Sequence, residues 1–444
     1  MSDALSPSRP FEVTNRMVFA IAAPMTLAFL TTPILGIVDT TVIGQFGDAA
    51  LIGGLAVGAL IFDIVFATVN FLRSGTTGFV AQAVGRGDEA EQQAVFWRAV
   101  ILAAGLGVAF LALAWPIREI GILLIDPGPG VTEATRAYVT IRMFSAPFAL
   151  VNYAILGLLL GQGRAMASLG LQTLLNGINI VASVYLGLVL GWAIEGVALG
   201  TILGEATAAV VGFWWLLRGF DPAHRPSWRR VFERAAFLHL ASVNRDIMIR
   251  SFALLAGYTL FTRIGAHFGA VTLAANAILM NFFMIAGYYL DGFATAAEQI
   301  VGRAVGARHA PAFWRAVKLT CLWGFVLAGF TTVVLLAAGG AVIDFMTTAE
   351  GVREIARTYL PWAALTPVVG VLAFQMDGVY IGATWSRDMR NMMVSSLALM
   401  VLLILALTPY FGNHGLWFAL LAFLGARGLS LLAKLPRRAG TVFV

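Results

Sequence analysis

The pentapeptide FWRAV occurs twice in this chain, at residues 96–100 and again at residues 313–317. Each copy follows an Ala-Val-Gly triplet, at residues 83–85 and 304–306, and lies between long apolar segments. Further matching pairs are Ile43-Gly44 with Ile264-Gly265, Pro147 with Pro367, and Gly161 with Gly382. Two similar apolar halves predict two helix bundles with a path between them, as in secondary transporters. Chance similarity of apolar sequence is the alternative.

The composition is that of a membrane protein. Hydrophobic residues make up 59% of the chain, charged residues only 12%, and the mean hydropathy is +0.85, whereas soluble domains carry about 25% charged residues. Met1–Arg16 is polar and lacks the features of a cleaved signal peptide, so we expect it to be retained. One cysteine, five histidines without ligand spacing and no phosphate-binding glycine loop predict no disulfide, metal, cofactor or direct use of ATP.

Twelve apolar segments are each long enough to cross a bilayer as a helix, which takes about 20 residues. They predict an all-α polytopic membrane protein with two pseudo-symmetric six-helix bundles. We expect a lobe over residues 1–218, a cytoplasmic linker over 219–237, and a second lobe over 238–444. We number the segments as spans 1–12, over residues 17–43, 50–80, 93–117, 134–160, 165–190, 193–218, 239–266, 270–302, 314–338, 354–381, 390–410 and 414–435.

The basic residues predict the orientation of these spans. If both termini are cytoplasmic, most of the 29 basic residues lie in cytoplasmic loops, in both halves of the chain. The opposite side receives only Arg118, Arg136, Arg353 and Arg357. This is the positive-inside distribution. It also accounts for the net charge of +6 without nucleic acid, because the basic residues form no patch with aromatic side chains.

Asp39 lies deep in span 1, behind a long apolar stretch that contains Pro24 and Pro33. A carboxylate at such a depth costs about 2.5–3.5 kcal/mol, so it faces a wet cavity or is protonated. The two prolines remove backbone hydrogen bonds and permit a bend. An acid beside a flexible helix suits a proton switch, and a structural acid paired with a neighbour is the alternative.

Spans 4, 5 and 6 add uncharged polar groups. In span 5, the spacings of four, three and four residues put all four polar side chains on one helical face: Gln172, Asn176, Asn179 and Ser183. Such a stripe lines a cavity or binds helices together. Span 6 contains Thr201, Glu205 and a doubled GxxxG pattern that permits close packing. Asn152 in span 4 and Thr201 are each as compatible with packing as with lining a cavity.

Further acids occur in the second half. Span 8 carries Tyr288, Asp291 and Glu298 on one face, and span 10 carries Asp377. These side chains are candidates for a substrate cavity, with structural pairing as the alternative. Asp246 and Arg250 lie one turn apart, and we expect them to pair locally.

The run from Pro24 to Asp39-Thr40-Thr41-Val42-Ile43-Gly44, the duplicated six-span layout and the length resemble the multidrug and toxic compound extrusion (MATE) family. Residues 289–294 (YLDGFA) with Glu298, and Gly306-Ala307-Arg308, resemble the DinF branch of this family. Residues 145–147 (SAP) with Asn152-Tyr153, and Asn179-Ile180-Val181, also resemble this branch.

The resemblance implies a V-shaped pair of six-helix lobes that exports amphipathic, often cationic compounds in exchange for H⁺ or Na⁺. It assigns a cation or proton site in the first lobe to Asp39, Asn152, Asn179 and Thr201, and bending of span 1 to Pro24. One position departs from the pattern, because relatives often carry Asp where this chain has Ser183. A hydroxyl lacks the charge that helps a site to strip water from Na⁺, so we expect H⁺ coupling.

We therefore predict a proton-driven multidrug antiporter of the bacterial inner membrane, with both termini cytoplasmic and acting as a monomer among membrane lipids. The alternatives are a Na⁺-coupled exporter of the same family and a lipid-linked glycan flippase. A flippase needs a cationic cavity for pyrophosphate, and the spans contain no dense arginine cluster. An intramembrane enzyme is a further alternative, but neither HExxH nor GxSxG occurs in the sequence.

Overall fold

The computed structural model describes residues 11–443. Those residues form helices and connecting loops without a β-strand. The helices are α1 (Asn15–Gly44), α2 (Ala49–Val69), α3 (Phe71–Arg86), α4 (Glu89–Ala112), α5 (Ala114–Ile125), α6 (Pro129–Arg142), α7 (Ala146–Gly161), α8 (Ala165–Ala182), α9 (Ala193–Gly219), α10 (Trp228–Val231), α11 (Arg234–Ala266), α12 (Ala270–Gly306), α13 (Ala310–Met346), α14 (Glu350–Gly382), α15 (Ser386–Phe411) and α16 (Asn413–Gly440). The expected retention of Met1–Arg16 falls mainly on residues outside the described range.

Twelve stretches of the described chain are long and apolar enough to cross a membrane, and they correspond in order to spans 1–12. The predicted fold class is thus confirmed. Span 2 comprises α2 and α3, and span 4 comprises α6 and α7. Span 3 ends at Ala112, earlier than predicted, because the chain breaks at Leu113 and continues as the short helix α5.

The helices pack into two units. One unit comprises Leu27–Ala241, and the other comprises the described residues up to Thr26 together with the chain from Ser242. The boundaries of these units differ from those of the lobes predicted from the sequence. The start of α1 belongs to the unit formed by the second half of the chain, and the linker belongs to the unit formed by the first half. The division of α1 falls two residues after Pro24, although α1 is continuous.

Tight packing holds the first part of α1 in its unit. A Cβ at Gly292 of α12 would lie 2.1 Å from the Thr26 hydroxyl oxygen and 2.8 Å from the Ala22 carbonyl oxygen. Glycine is required there because two helix backbones approach closely. The Phe19 ring adds an edge contact with Phe293 of the same helix, with ring centroids 5.5 Å apart.

The two FWRAV copies differ in what their arginines contact. Phe96 and Phe313 are both fully buried. Arg98 is also buried and donates to the carbonyl oxygens of Arg230 and Val231 in the linker, at 2.7 and 3.0 Å. Arg315 is instead half exposed, 3.6 Å from Glu12. Arg98 therefore contacts the segment that leads into span 7, and Arg315 contacts the segment that leads into span 1.

Candidate functional site

The glycines of span 6 pack directly against span 5. A Cβ at Gly200 would lie 2.6 Å from the Ser183 hydroxyl oxygen, and one at Gly204 would lie 3.0 Å from the Asn179 Cβ. A Cβ at Gly196 would lie 2.5 Å from the backbone nitrogen of Gly187. The close packing predicted from the doubled GxxxG pattern is confirmed, and it brings the polar face of span 5 onto α9.

Span 5 changes its helical form at Ser183. The α-helical part ends at Ala182, and Ser183–Val189 form a π-helix. Such wide turns are rare and often occur at functional sites. Here the wide turn begins at the residue that departs from the family pattern.

Four predicted site residues meet in this region. The Ser183 hydroxyl donates to the Asn179 side-chain oxygen at 3.0 Å, and Asn179 Nδ2 donates to the Thr201 hydroxyl at 3.3 Å. The Thr201 hydroxyl donates in turn to the Val197 carbonyl oxygen at 3.3 Å. The carboxyl group of Asp39 interacts with the Ser183 hydroxyl. Asn179 and Ser183 are fully buried, and Asp39 is 8% exposed.

The other half of the span 5 stripe forms a second polar chain. Gln172 donates to Asn176 at 3.3 Å, and Asn176 donates to the Thr31 hydroxyl of α1 at 2.6 Å. Span 1 is thus bound to span 5 at two levels, through Thr31 and through Asp39. Thr31 is absent from the sequence-based candidates, although it lies two turns before Asp39 and its spacing indicates the same face.

Asn152 has a different partner. Its side-chain nitrogen donates to the Glu205 carboxylate at 2.6 Å and to the Glu205 carbonyl oxygen at 3.0 Å. Glu205 follows Thr201 by one turn in α9, so Asn152 lies beside the Asp39 group rather than in its hydrogen-bond chain. The role of Asn152 as a direct member of the site stays a prediction.

Arg142, at the end of α6, lies among aromatic rings and acids. It donates to the Tyr138 hydroxyl at 2.6 Å, and its guanidinium carbon lies 4.5 Å from the centre of the Phe62 ring. It interacts electrostatically with Asp39 and with Glu205. No carboxylate of residues 11–443 comes within ion-pair distance of its guanidinium.

In the second half of the chain, the candidate acid Asp377 is held in direct ion pairs. Asp377 Oδ2 accepts from Arg427 at 2.9 Å and from Arg250 at shorter range. All three side chains are largely buried. Two guanidinium groups on one carboxylate favour the structural interpretation of Asp377 over a role as a free substrate contact.

The predicted local pair of Asp246 with Arg250 is wrong. Asp246 accepts instead from Arg390 at 2.6 Å and from Ser386 at 3.0 Å. Arg250 projects towards Asp377 of α14, where its guanidinium compensates a largely buried carboxylate on another helix. Of the remaining span 8 candidates, Glu298 is buried, Tyr288 is half-buried and Asp291 is exposed.

One surface group has the composition of a metal site. Glu89 of α4 and Asp221 and His224 of the linker bring ligand atoms within 4.8 Å of one another. The His224 Nδ1 atom lies 3.1 Å from each carboxylate. The backbone N–H of Ala223 lowers the pKa of Asp221, so this carboxylate is ionised at neutral pH. All three side chains are exposed, and their arrangement is also that of an ordinary surface ion pair.

A protein-family model described as MatE matches residues 24–185 and residues 247–407. The chain belongs to the MATE family. DNA damage-inducible protein F of Escherichia coli strain K12 is 36% identical over 97% of this chain and 94% of that protein, which confirms the resemblance to the DinF branch. Multidrug resistance protein NorM of Burkholderia vietnamiensis is 26% identical over 92% of this chain and 88% of that protein.

The fold agrees with this assignment. A solved MATE structure in a bent conformation aligns with a TM-score of 0.89 at 16% identity, over 96% of each chain. At this identity the likeness establishes the fold alone. This MATE protein is therefore a multi-pass membrane protein of a multidrug and toxin extrusion family, whose members are transporters rather than enzymes.

Proposed function

We propose that this MATE protein is an antiporter of the bacterial inner membrane that exports amphipathic and cationic compounds in exchange for inward protons. The observation that carries the proposal is the series of hydrogen bonds from Ser183 through Asn179 to Thr201. Asp39 interacts with Ser183, at the start of this series. The Thr201 proton goes to Val197, so Thr201 accepts from the Asn179 amide nitrogen and leaves the Asn179 oxygen facing Ser183.

Ser183 has a single hydroxyl proton, and it donates that proton to the Asn179 side-chain oxygen. A protonated Asp39 completes the chain, because its own proton then satisfies the Ser183 oxygen. An ionised Asp39 draws the hydroxyl proton towards itself and leaves the buried Asn179 oxygen without a donor. The buried Asp39 Oδ1 atom also lacks a hydrogen-bond partner, which costs less in a neutral carboxyl group than in a carboxylate.

Protonation of Asp39 thus changes how span 1 is bound to span 5. Pro33 leaves the Phe29 carbonyl without its helical donor, and Pro24 does the same for Ala20. These gaps let span 1 adjust when its contact with Ser183 changes. An ionised Asp39 attracts a cationic compound and a neutral one releases it, which supplies the difference in affinity that transport requires.

The donor set favours a proton over Na⁺. Apart from the carboxyl group of Asp39 itself, the hydrogen-bonded groups at this site are neutral hydroxyl and amide groups. Arg142 contributes a nearby positive charge. Sodium is a hard cation that needs several oxygen ligands, preferably with negative charge. The runner-up function remains Na⁺-coupled export. A glycan flippase is less well supported, because Arg250 and Arg427, two largely buried arginines of the second half, are both engaged with Asp377.

Transport by reconstituted protein tests the proposal. A proton gradient and a Na⁺ gradient are imposed separately, and efflux of a cationic dye is followed. We expect the proton gradient alone to drive efflux in the parent and not in Asp39→Asn. Asp126→Asn makes the same change at an exposed loop position and serves as the control. Normal efflux by Asp39→Asn under the proton gradient would contradict the assignment of Asp39.

A further inference from the structure

We propose that Arg142 is a built-in counter-ion that makes the first half of this transporter select protons over Na⁺. The inference deepens the proposed function and rests on it. Arg142 is half-buried and differs from the buried Arg98 and Arg427, because aromatic groups hold it while acids surround it beyond ion-pair distance.

The contacts of Arg142 fix its position. Its Nη1 atom donates to Tyr138 at 2.6 Å, and its guanidinium lies 4.5 Å from the Phe62 ring centre and 5.4 Å from that of Tyr138. Its Nε atom is buried and has no partner. A guanidinium on aromatic faces keeps its charge and retains N–H groups that can act on other partners.

Three helices present acids to this charge: Asp39 lies on α1, Asp63 on α2 and Glu205 on α9, and each interacts electrostatically with Arg142. Residues beside Asp39 and Asp63 pack with α6 and with an earlier turn of α9 in one hydrophobic cluster, which includes Val38, Val42, Phe62, Phe66, Tyr138, Ile141 and Val197. The other titratable groups nearby are Tyr138 and Tyr153, and Arg73 interacts with Tyr153. One guanidinium thus serves three carboxyl groups without neutralising any of them through a direct pair.

This arrangement acts differently on the two candidate ions. Both ions bring one positive charge to Asp39, so Arg142 opposes the binding of each. A proton forms an O–H bond with the carboxylate, and this bond withstands the repulsion at working pH. Sodium must also give up its hydration at a site with few charged ligands, so the same repulsion leaves it unbound. Since arginine stays protonated at all working pH values, the pH does not change the charge that produces this selection.

Removal of the charge tests the proposal. We expect Arg142→Gln to shift the pH profile of dye efflux upward by about one pH unit, because an opposite charge nearby opposes protonation of a carboxylate. We also expect Na⁺ to raise the Tm of Arg142→Gln and not that of the parent. Arg142→Lys should restore the parental profile and Na⁺ insensitivity, since it keeps the charge.

Two controls separate charge from structure. Tyr138→Phe removes the hydrogen bond to Arg142 but keeps the charge and both ring contacts that hold the guanidinium, so its pH profile should match the parent. Arg73 lies in the same half of the protein, and its charge acts on Tyr153 rather than on the three acids. Arg73→Gln should therefore not create a Na⁺ response. If Arg142→Gln fails to fold, Arg142→Met keeps the apolar contact with Phe62 and replaces it.

The outcomes distinguish this inference from the proposed function. A parental pH profile and Na⁺ insensitivity in Arg142→Gln, or equal shifts in Arg73→Gln, would overturn the role of Arg142 alone. A parent that responds only to a Na⁺ gradient would overturn proton coupling itself.

Discussion

The Ser183 hydroxyl oxygen lies 3.0 Å from the side-chain oxygen of Asn179, one turn earlier in span 5. Two oxygens at this distance need a proton between them, and only the hydroxyl can supply it. With Asp at position 183 instead, the same contact would place a carboxylate against the amide oxygen and require a bridging cation or proton. This single contact therefore links the identity of residue 183 to the choice of coupling ion.

Gly200→Ala should disrupt this contact. The new Cβ would lie 2.6 Å from the Ser183 hydroxyl oxygen and 2.7 Å from its backbone nitrogen. Overpacking of this kind costs about 1–3 kcal/mol, so we expect a lower Tm and loss of proton-driven efflux. Gly177→Ala is the matched control in the same pair of helices, because its Cβ meets nothing within 4 Å. That variant should be as stable as the parent or slightly more stable.

Arg98→Ala should be far more damaging than Arg315→Ala, although both alter the same pentapeptide. Arg98 is buried and donates to Glu91 at 2.7 Å as well as to the linker carbonyls of Arg230 and Val231. Its loss should cost about 3 kcal/mol. Arg315 has 54% of its side chain exposed, and an exposed pair contributes about 0–1 kcal/mol. Thermal unfolding of both variants in detergent measures the difference, and equal Tm values would contradict it.

The orientation in the membrane is testable at Ser227, which caps the N-terminus of α10 in the arginine-rich linker. In a Cys321→Ser background, which removes the native cysteine, Ser227→Cys should react with an impermeant thiol reagent only from the cytoplasmic side. Labelling in intact cells from outside would reverse the predicted topology. A cysteine at exposed Asp126, on the other side in this topology, provides the opposite control.

The sequence predicted the spans because helical hydrophobicity and length are local properties. It also predicted the common face of Gln172, Asn176, Asn179 and Ser183, since helical periodicity decides which side chains align. Partners across helices were harder. Arg250 has Asp246 one turn away but pairs with Asp377, because the choice depends on which helices meet and on where two charges can be buried together.

The same limit applies to the repeat. The FWRAV pentapeptides are identical, yet Arg98 is buried against the linker and Arg315 is half exposed. Their environments differ because different segments precede spans 7 and 1. The π-helical turn at Ser183 is likewise invisible in the sequence, as it arises where the glycines of α9 press on span 5.

Asp377→Asn should produce the opposite signature to Asp39→Asn. Removing the carboxylate leaves the buried charges of Arg250 and Arg427 without a partner, which costs about 3–5 kcal/mol. We expect a strongly reduced Tm and low yield of folded protein. Asp39→Asn makes the same chemical change where no ion pair is lost, so it should fold normally and lose transport only. A stable Asp377→Asn variant that fails specifically in efflux would show that Asp377 acts in transport.

Ser183→Asp should create a response to Na⁺. The new carboxylate would lie beside Asn179 and near Asp39, and two close carboxylates repel each other unless a cation or a shared proton lies between them. Sodium should therefore raise the Tm of Ser183→Asp, or stimulate its efflux, at a pH where the parent is indifferent to Na⁺. Ser183→Asn keeps a similar side-chain size without the charge, and it should remain indifferent. If Ser183→Asn gains the same response, side-chain size rather than charge at position 183 controls Na⁺ binding. A parent that already depends on Na⁺ and ignores the proton gradient would refute both this prediction and the choice of H⁺.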